Sequence, residues 1–279
     1  MILGIDAGNH RVKVVNKNGA FDFASDIGEW RQRNLITTYG PDDMEFEYND
    51  RKGFAGLLAR YESEFSGSIK GDTKANEDAK LRVLLAVHQY SSDTDNAIVV
   101  GQPISKHTDD EKLAIKNMLI GVHTMTVNGV TKTFRINRVE VGAECASTGM
   151  LEPPLGYFHI VDLGGGTLNW ATCYYDGESV RKIDRDSDTE LFGMDTVKQA
   201  DITAMSRLLI SKTQSKWSKE NPVRVIGGVA EKLSEALQSH YVKAAPYQPL
   251  INGNRVSPTF GSAAAFYAIA KGVYGEQRG

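Results

Sequence analysis

The sequence predicts an α/β protein with mixed sheets arranged in two similar lobes, and three stretches carry that prediction. In Ile160-Val161-Asp162-Leu163-Gly164-Gly165-Gly166-Thr167-Leu168-Asn169-Trp170, an apolar run ends at an aspartate, meets three glycines and a threonine, and resumes. This is a strand, a tight turn and a second strand. Ile2-Leu3-Gly4-Ile5-Asp6-Ala7-Gly8-Asn9-His10-Arg11-Val12-Lys13-Val14-Val15 repeats the grammar near the start of the chain. In Val225-Ile226-Gly227-Gly228-Val229-Ala230 a strand instead enters a Gly-Gly turn and opens a helix. Between these stretches strands and helices alternate irregularly, with a hairpin at the start of each half, which is the pattern of mixed sheets.

The elements follow in order. Residues 2–6 and 11–16 are strands, with a third around Ala20–Ala24. Residues 25–66 are less regular and read as a small inserted lobe, with the turn Gly40-Pro41-Asp42-Asp43 and a short strand at Met44–Tyr48. Gly67 to Gly71 is a glycine-punctuated link. Asn76–Tyr90 has helical spacing in Ala79, Val83, Leu84 and Val87. Ala97–Val100 is a buried strand, and Asp109–Leu119 is a helix opened by acids. Asn128-Gly129 joins strands at Thr124–Val127 and Thr131–Ile136 as a hairpin. A separate strand at Arg138–Val141 leads to Glu144 and a small-residue helix over Cys145–Leu151. After the Asp162 hairpin, Asp176-Gly177 joins Thr172–Tyr175 to Ser179–Asp184. Gly193–Leu209 is read as a helix, Lys212–Pro222 as a polar connection, Val223–Ile226 as a strand, Ala230 to about Leu237 as a helix, and Pro258–Ala270 as a final apolar helix.

Composition narrows the function classes. The chain has 279 residues, 41% hydrophobic and 24% charged, as expected of a soluble globular protein with a sizeable core. A formal charge of −3 supplies no global basic field, so direct nucleic-acid binding is disfavoured. No apolar stretch approaches a membrane span, and Met1 leads straight into a strand rather than a signal peptide. Cys145 and Cys173 read as buried thiols of a reducing compartment. Trp30, Trp170 and Trp217 read as packing residues, since no basic stripe interleaves them.

The chemistry-bearing residues cluster at the turns. Gly164, Gly165 and Gly166 bring successive backbone N–H groups close to an anion, and Asp162, at the strand end, is placed to hold a divalent cation through water. No glycine-rich run precedes Lys-Ser or Lys-Thr, and each Asp-ended turn returns into a strand, so neither the P-loop nor the dinucleotide fingerprint is present. Gly227-Gly228 permits flat contact with a base or ribose. Glu144 is either a first-turn acid stabilised by a helix dipole or the group that orients water for attack on a γ-phosphate. Glu140 is its fallback, but in the phase of Val139 and Val141 it points the other way. Lys13 reaches phosphates if it faces the cleft and is a solvated strand lysine otherwise; His10 reads as a surface histidine. Gly193 either starts a helix or meets a ribose or phosphate.

Asp6-Ala7-Gly8-Asn9, Asp162-Leu163-Gly164-Gly165-Gly166-Thr167 and Ile226-Gly227-Gly228, in that order, resemble the two phosphate loops and the adenosine loop of the actin/Hsp70/sugar-kinase superfamily. Val99-Val100-Gly101-Gln102-Pro103, Val139-x-Val141-x-x-Glu144 and Pro258-Thr259-Phe260-Gly261-Ser262-Ala263 resemble segments of the plasmid-segregation actins, the ParM/StbA family. Ala265 stands where the second connecting helix of that family often carries glycine. Gly227 follows Asp162 by only 65 residues, an interval in which family members usually hold subdomain IIB. The chain therefore resembles a reduced, AlfA-like form with IIB missing or vestigial.

The resemblance implies an actin-like fold of the duplicated ribonuclease H-like kind. Lobe I would comprise residues 1–143 plus 258–279, with the insertion at about 25–66, and lobe II residues 144–257. It implies ATP or GTP with Mg2+ between the lobes. Asp6 and Asp162 would lie near the metal, with Gly8, Asn9, Lys13 and Gly164 to Thr167 at the phosphates and Gly193, Gly227 and Gly228 at the nucleoside. Lys198 and Glu231 are candidates for the base-facing side. Glu144 would position water. It implies a cytoplasmic filament that hydrolyses nucleotide and reaches plasmid DNA through a ParR-like adaptor, without membrane or direct nucleic-acid contact. The alternatives are a non-polymerising nucleotide-binding scaffold and a small-molecule kinase of the same superfamily, for which 279 residues leave little room.

Overall fold

The computed structural model describes residues 1–35, 40–67, 73–197 and 201–275. The link from Gly67 to Gly71, apart from Gly67 itself, and Lys198 lie outside them.

The first half contains β1 (Ile2–Ala7), β2 (Arg11–Asn16), β3 (Gly19–Ala24), β4 (Ile27–Glu29), β5 (Asp43–Tyr48), β6 (Arg51–Gly56), α1 (Leu57–Glu62), α2 (Glu77–Tyr90), β7 (Asp95–Gln102), α3 (Asp109–Leu119), β8 (Gly121–Val127) and β9 (Val130–Ala143). The second half contains β10 (Gly156–Leu163), β11 (Leu168–Tyr175), β12 (Val180–Glu190), α4 (Ile202–Thr213), β13 (Val223–Ile226), α5 (Ala230–Gln238) and β14 (Ala244–Pro246). A small hairpin of β15 (Leu250–Ile251) and β16 (Asn254–Arg255) precedes α6 (Gly261–Tyr274).

The two sheets show the duplication that the repeated motif implies. One runs β3-β2-β1-β7-β9 and continues through β8-β5-β6-β4; the other runs β12-β11-β10-β13-β14. In each, two antiparallel pairs are followed by two parallel ones. The registers correspond too: Asp6 faces Lys13 across the β1–β2 pair, and Asp162 faces Asn169 across β10–β11. Leu3, Ile5, Val12 and Val14 bury one face of the first sheet against α2, where Leu81, Leu84 and Leu85 meet them. Val161, Leu163, Trp170 and Val225 do the same in the second sheet against Leu209 of α4 and Leu233 and Leu237 of α5. Burial, rather than intrinsic propensity, holds helices of this length.

Local signals explain the boundaries. The Asn76 side chain accepts from the N–H of Ala79 and that of Thr108 from Glu111, capping α2 and α3. Asn128 and Gly129 both have positive φ, 50° and 79°, as a two-residue turn of right-handed twist requires.

Three expectations are corrected. The segments 131–136 and 138–141 form one long strand, β9, which absorbs a register shift against β7 at Asn96/Ala97. Its hairpin with β8 extends out to β5, so the inserted segment joins the first sheet through Phe46↔Val127 and Glu47↔Thr126. The helix expected at Gly193–Leu209 starts at Ile202, because the Asp201 carboxylate caps the N–H groups of Thr203 and Ala204. It runs on to Thr213, beyond the expected start of the polar connection. The small-residue helix after Glu144 is a short 3₁₀ helix, Ala146–Met150, reached through Cys145 at φ 62°.

Trp170 and Trp217 are buried, and Trp217 stacks on His159 at 4.0 Å between ring centres. Between Asp162 and Gly227 the described residues hold β11, β12 and β13, all strands of the second sheet, with α4, and no further sheet.

α6 packs on the first sheet at one close approach. A Cβ built on Gly4 of β1 lies 2.2 Å from the Tyr267 backbone N and 2.4 Å from the Ala263 carbonyl O. Backbone cannot yield as a flexible side chain does, so Gly4→Ala is expected to cost about 3 kcal/mol. Urea denaturation checks this; a loss under 1 kcal/mol means that α6 does not seat on β1 this closely.

Candidate functional site

β1 and β10 both carry an aspartate as their penultimate residue, and the turns that follow them meet across one cavity of about 330 Å3. Asp6, Lys13, Asp162, Gly164, Gly165, Gly227 and Gly228 all line it. The turns abut: a Cβ on Gly166 would lie 2.6 Å from Asn9 Nδ2, so a side chain there would push the Asn9 amide aside. Gly8 lies beside Lys13, its Cβ position 3.0 Å from Nζ. The segment after β12 splints the second turn, with Met194 N–H donating to the Gly164 carbonyl at 3.0 Å and Asp195 N–H to that of Gly165 at 2.8 Å. Gly193 thus sits against the backbone of that turn. Thr167 Oγ1 accepts from Asn169 Nδ2 at 3.0 Å. Glu231 lies exposed in the first turn of α5.

Lys13 faces the cleft, with Nζ 3.2 Å from Asp6 Oδ2. Burial acts to lower its pKa, but the charges of Asp6, Asp162 and Glu144 outweigh burial and raise it, so Lys13 stays an ammonium. Asp162 keeps some surface toward the cavity, yet desolvation, reinforced by the charge of Asp6 against the opposing pull of Lys13, pushes it up to about 6.

Glu144 is 7% exposed and sits behind the cavity wall rather than on it. Burial is the main cause that raises its pKa to about 7; Lys74 opposes this and the charges of Asp6 and Asp162 add to it. Lys74 Nζ lies 3.8 Å from Glu144 Oε1 and donates to the Ala7 carbonyl at 3.1 Å. Glu144 Oε1 is buried and accepts no hydrogen bond. The helix-dipole reading of Glu144 is therefore replaced: no α-helix starts there, and its carboxylate is destabilised, not stabilised. Glu140 points outward, as its strand phase predicted, and pairs with Lys116 at 2.8 Å.

The arrangement can hold a polyanion against two glycine turns and two cations, Lys13 and Arg11. Asp6 and Asp162 are the lining carboxylates that could hold a divalent cation. Among the described residues no group of three or more His, Cys, Asp or Glu side chains is placed to hold a metal ion.

Sequence reasoning missed four residues. Arg11 and Asp22 line the cavity; Arg11 alternates with Val12 and Lys13, so its shared face with Lys13 was legible. Asp195 meets His10, another cavity-lining residue, at 3.3 Å from the opposite lobe. Lys74 follows an irregular link and carried no local signal.

The family model for the N-terminal domain of actin-like proteins matches residues 4–146, and the chain belongs to the actin-like proteins. Its fold is similar over full length to an AlfA filament bound to AMPPNP, at TM-score 0.74 and 19% identity, covering 99% of this chain and 98% of that one. The AlfA filament from the B. subtilis plasmid pLS32 gives 0.73 and 18%, covering 98% of each chain. The archaeal actin homolog Ta0583 in complex with ADP gives 0.73 and 14%, covering 97% and 99%. No curated protein sequence matches the chain. No helix among the described residues is long and apolar enough to cross a membrane.

Proposed function

We propose that this chain is a cytoplasmic, nucleotide-dependent filament-forming protein that hydrolyses ATP or GTP and segregates plasmid DNA through a ParR-like DNA-binding adaptor. The observation that carries the reading is the convergence of two Asp-ended glycine turns and Lys13 on one cavity between the lobes. Similarity to AlfA filaments supports self-assembly, and the nucleotides named for AlfA and Ta0583 support the ligand class. The short content of the 163–226 interval supports a reduced form without subdomain IIB.

In this reading Asp6 and Asp162 would hold Mg2+ through water, and the cation would supply neutralisation of phosphate charge. Gly8, Asn9, Lys13 and Gly164 to Thr167 hold the phosphates; Gly193, Gly227 and Gly228 serve the nucleoside side. Glu144 receives the proton of the attacking water. Because Glu144 lies behind the cavity wall, hydrolysis waits for lobe closure, which filament assembly drives. A net charge of −3 fits indirect contact with DNA.

Light scattering and pelleting with Mg-ATP, Mg-GTP or neither test the proposal. Nucleotide-dependent sedimentation is expected. Binding without assembly at any concentration would replace the filament with a scaffold.

A further inference from the structure

Among the described residues, Arg11 is the cleft-lining cation whose side chain also reaches the inserted segment. It pairs through Nε with Asp22 of β3 and through Nη2 with Asp42 at 3.0 Å. Asp42 is built into that segment by its backbone. Its carbonyl accepts from the N–H of Leu57, the first residue of α1, at 2.9 Å, and a Cβ on Gly56 would lie 1.9 Å from the same oxygen. Gly56 N–H is in turn held by the Asp26 carbonyl at 2.9 Å, and Arg60 of α1 pairs with Asp26 at 2.7 Å. Asp42, β6 and α1 are therefore joined through backbone hydrogen bonds and close packing. On the other side Arg11 and Asp22 share the cavity with Lys13, Gly164 and Gly165.

We infer that Arg11 is a positioning residue that reports phosphate in the cleft to the inserted segment, through competition between phosphate and the carboxylates of Asp22 and Asp42. The inference rests on the cleft being a nucleotide site. One guanidinium bridges two carboxylates, so the triad carries a net negative charge. A guanidinium presents donors in a planar fork that suits phosphate as well as carboxylate. Phosphate oxygens arriving at the turns compete for those donors. When Arg11 turns to them, Asp22 and Asp42 lose their shared counter-ion and repel. Asp22 is fixed in the sheet by pairing with Lys13, whereas Asp42 moves with α1 and β6. The charge of the ligand is thus converted into a displacement of the segment that projects from lobe I.

The test compares wild type, Arg11→Lys and Asp42→Asn by fluorescent-nucleotide binding and by hydrogen exchange over residues 40–62, with and without Mg-ATP. Thermal melts confirm that each variant is folded. Wild type is expected to change exchange at least threefold in that segment on binding. Arg11→Lys, a point charge that cannot fork across both partners, should bind about tenfold more weakly and lose the exchange change at saturation. Asp42→Asn should bind nucleotide yet show no nucleotide-dependent change there. If both variants keep the wild-type response at saturation, the coupling through Arg11 is wrong while the nucleotide reading stands. If wild type binds no nucleotide, the functional reading fails first.

Discussion

Glu144→Gln is expected to slow nucleotide turnover roughly 100- to 1,000-fold while nucleotide affinity stays within about threefold, the signature of losing a group that acts only on the attacking water. Glutamine keeps the shape of the buried side chain and cannot accept a proton. The same substitution carries a second, independent readout in the nucleotide-free protein. Burial raises Glu144 from its ordinary 4.5 to about 7, so the folded state holds a proton that the unfolded chain releases. The favourable linkage is complete below about pH 4.5 and is lost as pH rises through about 7. Above that the folded protein carries a buried, unsatisfied carboxylate, at a cost on the order of 2–3 kcal/mol. Gln removes the cost, so at pH 8 the variant should melt about 5 °C higher than wild type, and the difference should vanish toward pH 4.5. Differential scanning fluorimetry from about pH 4.5 to about pH 8 reads this directly. Turnover within threefold of wild type would remove Glu144 from the chemistry, and equal melting at pH 8 would show that its carboxylate is better solvated than its burial indicates. Glu140 does not stand in for it, being paired with Lys116 on the outer side of β9.

What the sequence made legible here is what repeats or alternates. The two Asp-turn units could be recognised because the same polypeptide grammar occurs twice, and the matching strand orders of the two sheets are the structural form of that repetition. β13 and α3 begin and end where their apolar period and caps say they should. What was hidden depends on contacts remote in sequence. Lys74 reaches Ala7 and Glu144 across 67 and 70 positions of sequence, contacts that no local pattern marks. Glu144 read as a helix-start acid because small residues follow it, but Cys145 takes a positive φ and turns the chain into a 3₁₀ segment instead. The helix expected from Gly193 gives way to a backbone splint because Met194 and Asp195 donate to the second turn, a pairing no local pattern encodes. Asp201 is a readable cap, but the apolar spacing of Met194 and Val197 continues the helical period toward the N-terminus and masks it.

Gly227→Ala should damage the nucleoside side of the cleft, and its neighbour supplies the control. Gly227 has φ 94°, a region that costs an L-residue about 1–2 kcal/mol. Its Cβ would also lie 2.7 Å from Asp162 Oδ1 and 3.0 Å from the Leu163 carbonyl O. Neither relief is cheap. Moving Asp162 pulls the carboxylate from the cation side of the cleft, and moving the Gly227 backbone strains its N–H bond to the Pro258 carbonyl, 3.1 Å away. Strain and clash together predict a stability loss of about 3 kcal/mol and nucleotide binding weaker by more than tenfold. Gly228 has no heavy atom within 4 Å of its Cβ position and is not among the positive-φ glycines. Gly228→Ala should therefore leave stability within about 1 kcal/mol of wild type. Any loss of affinity it causes then reports a ligand lying against that turn. Chemical denaturation and nucleotide titration of the pair separate the two effects. If Gly227→Ala is as stable as Gly228→Ala, the carboxylate of Asp162 is not packed against this turn, and the link between the cation side and the nucleoside side of the cleft lies elsewhere.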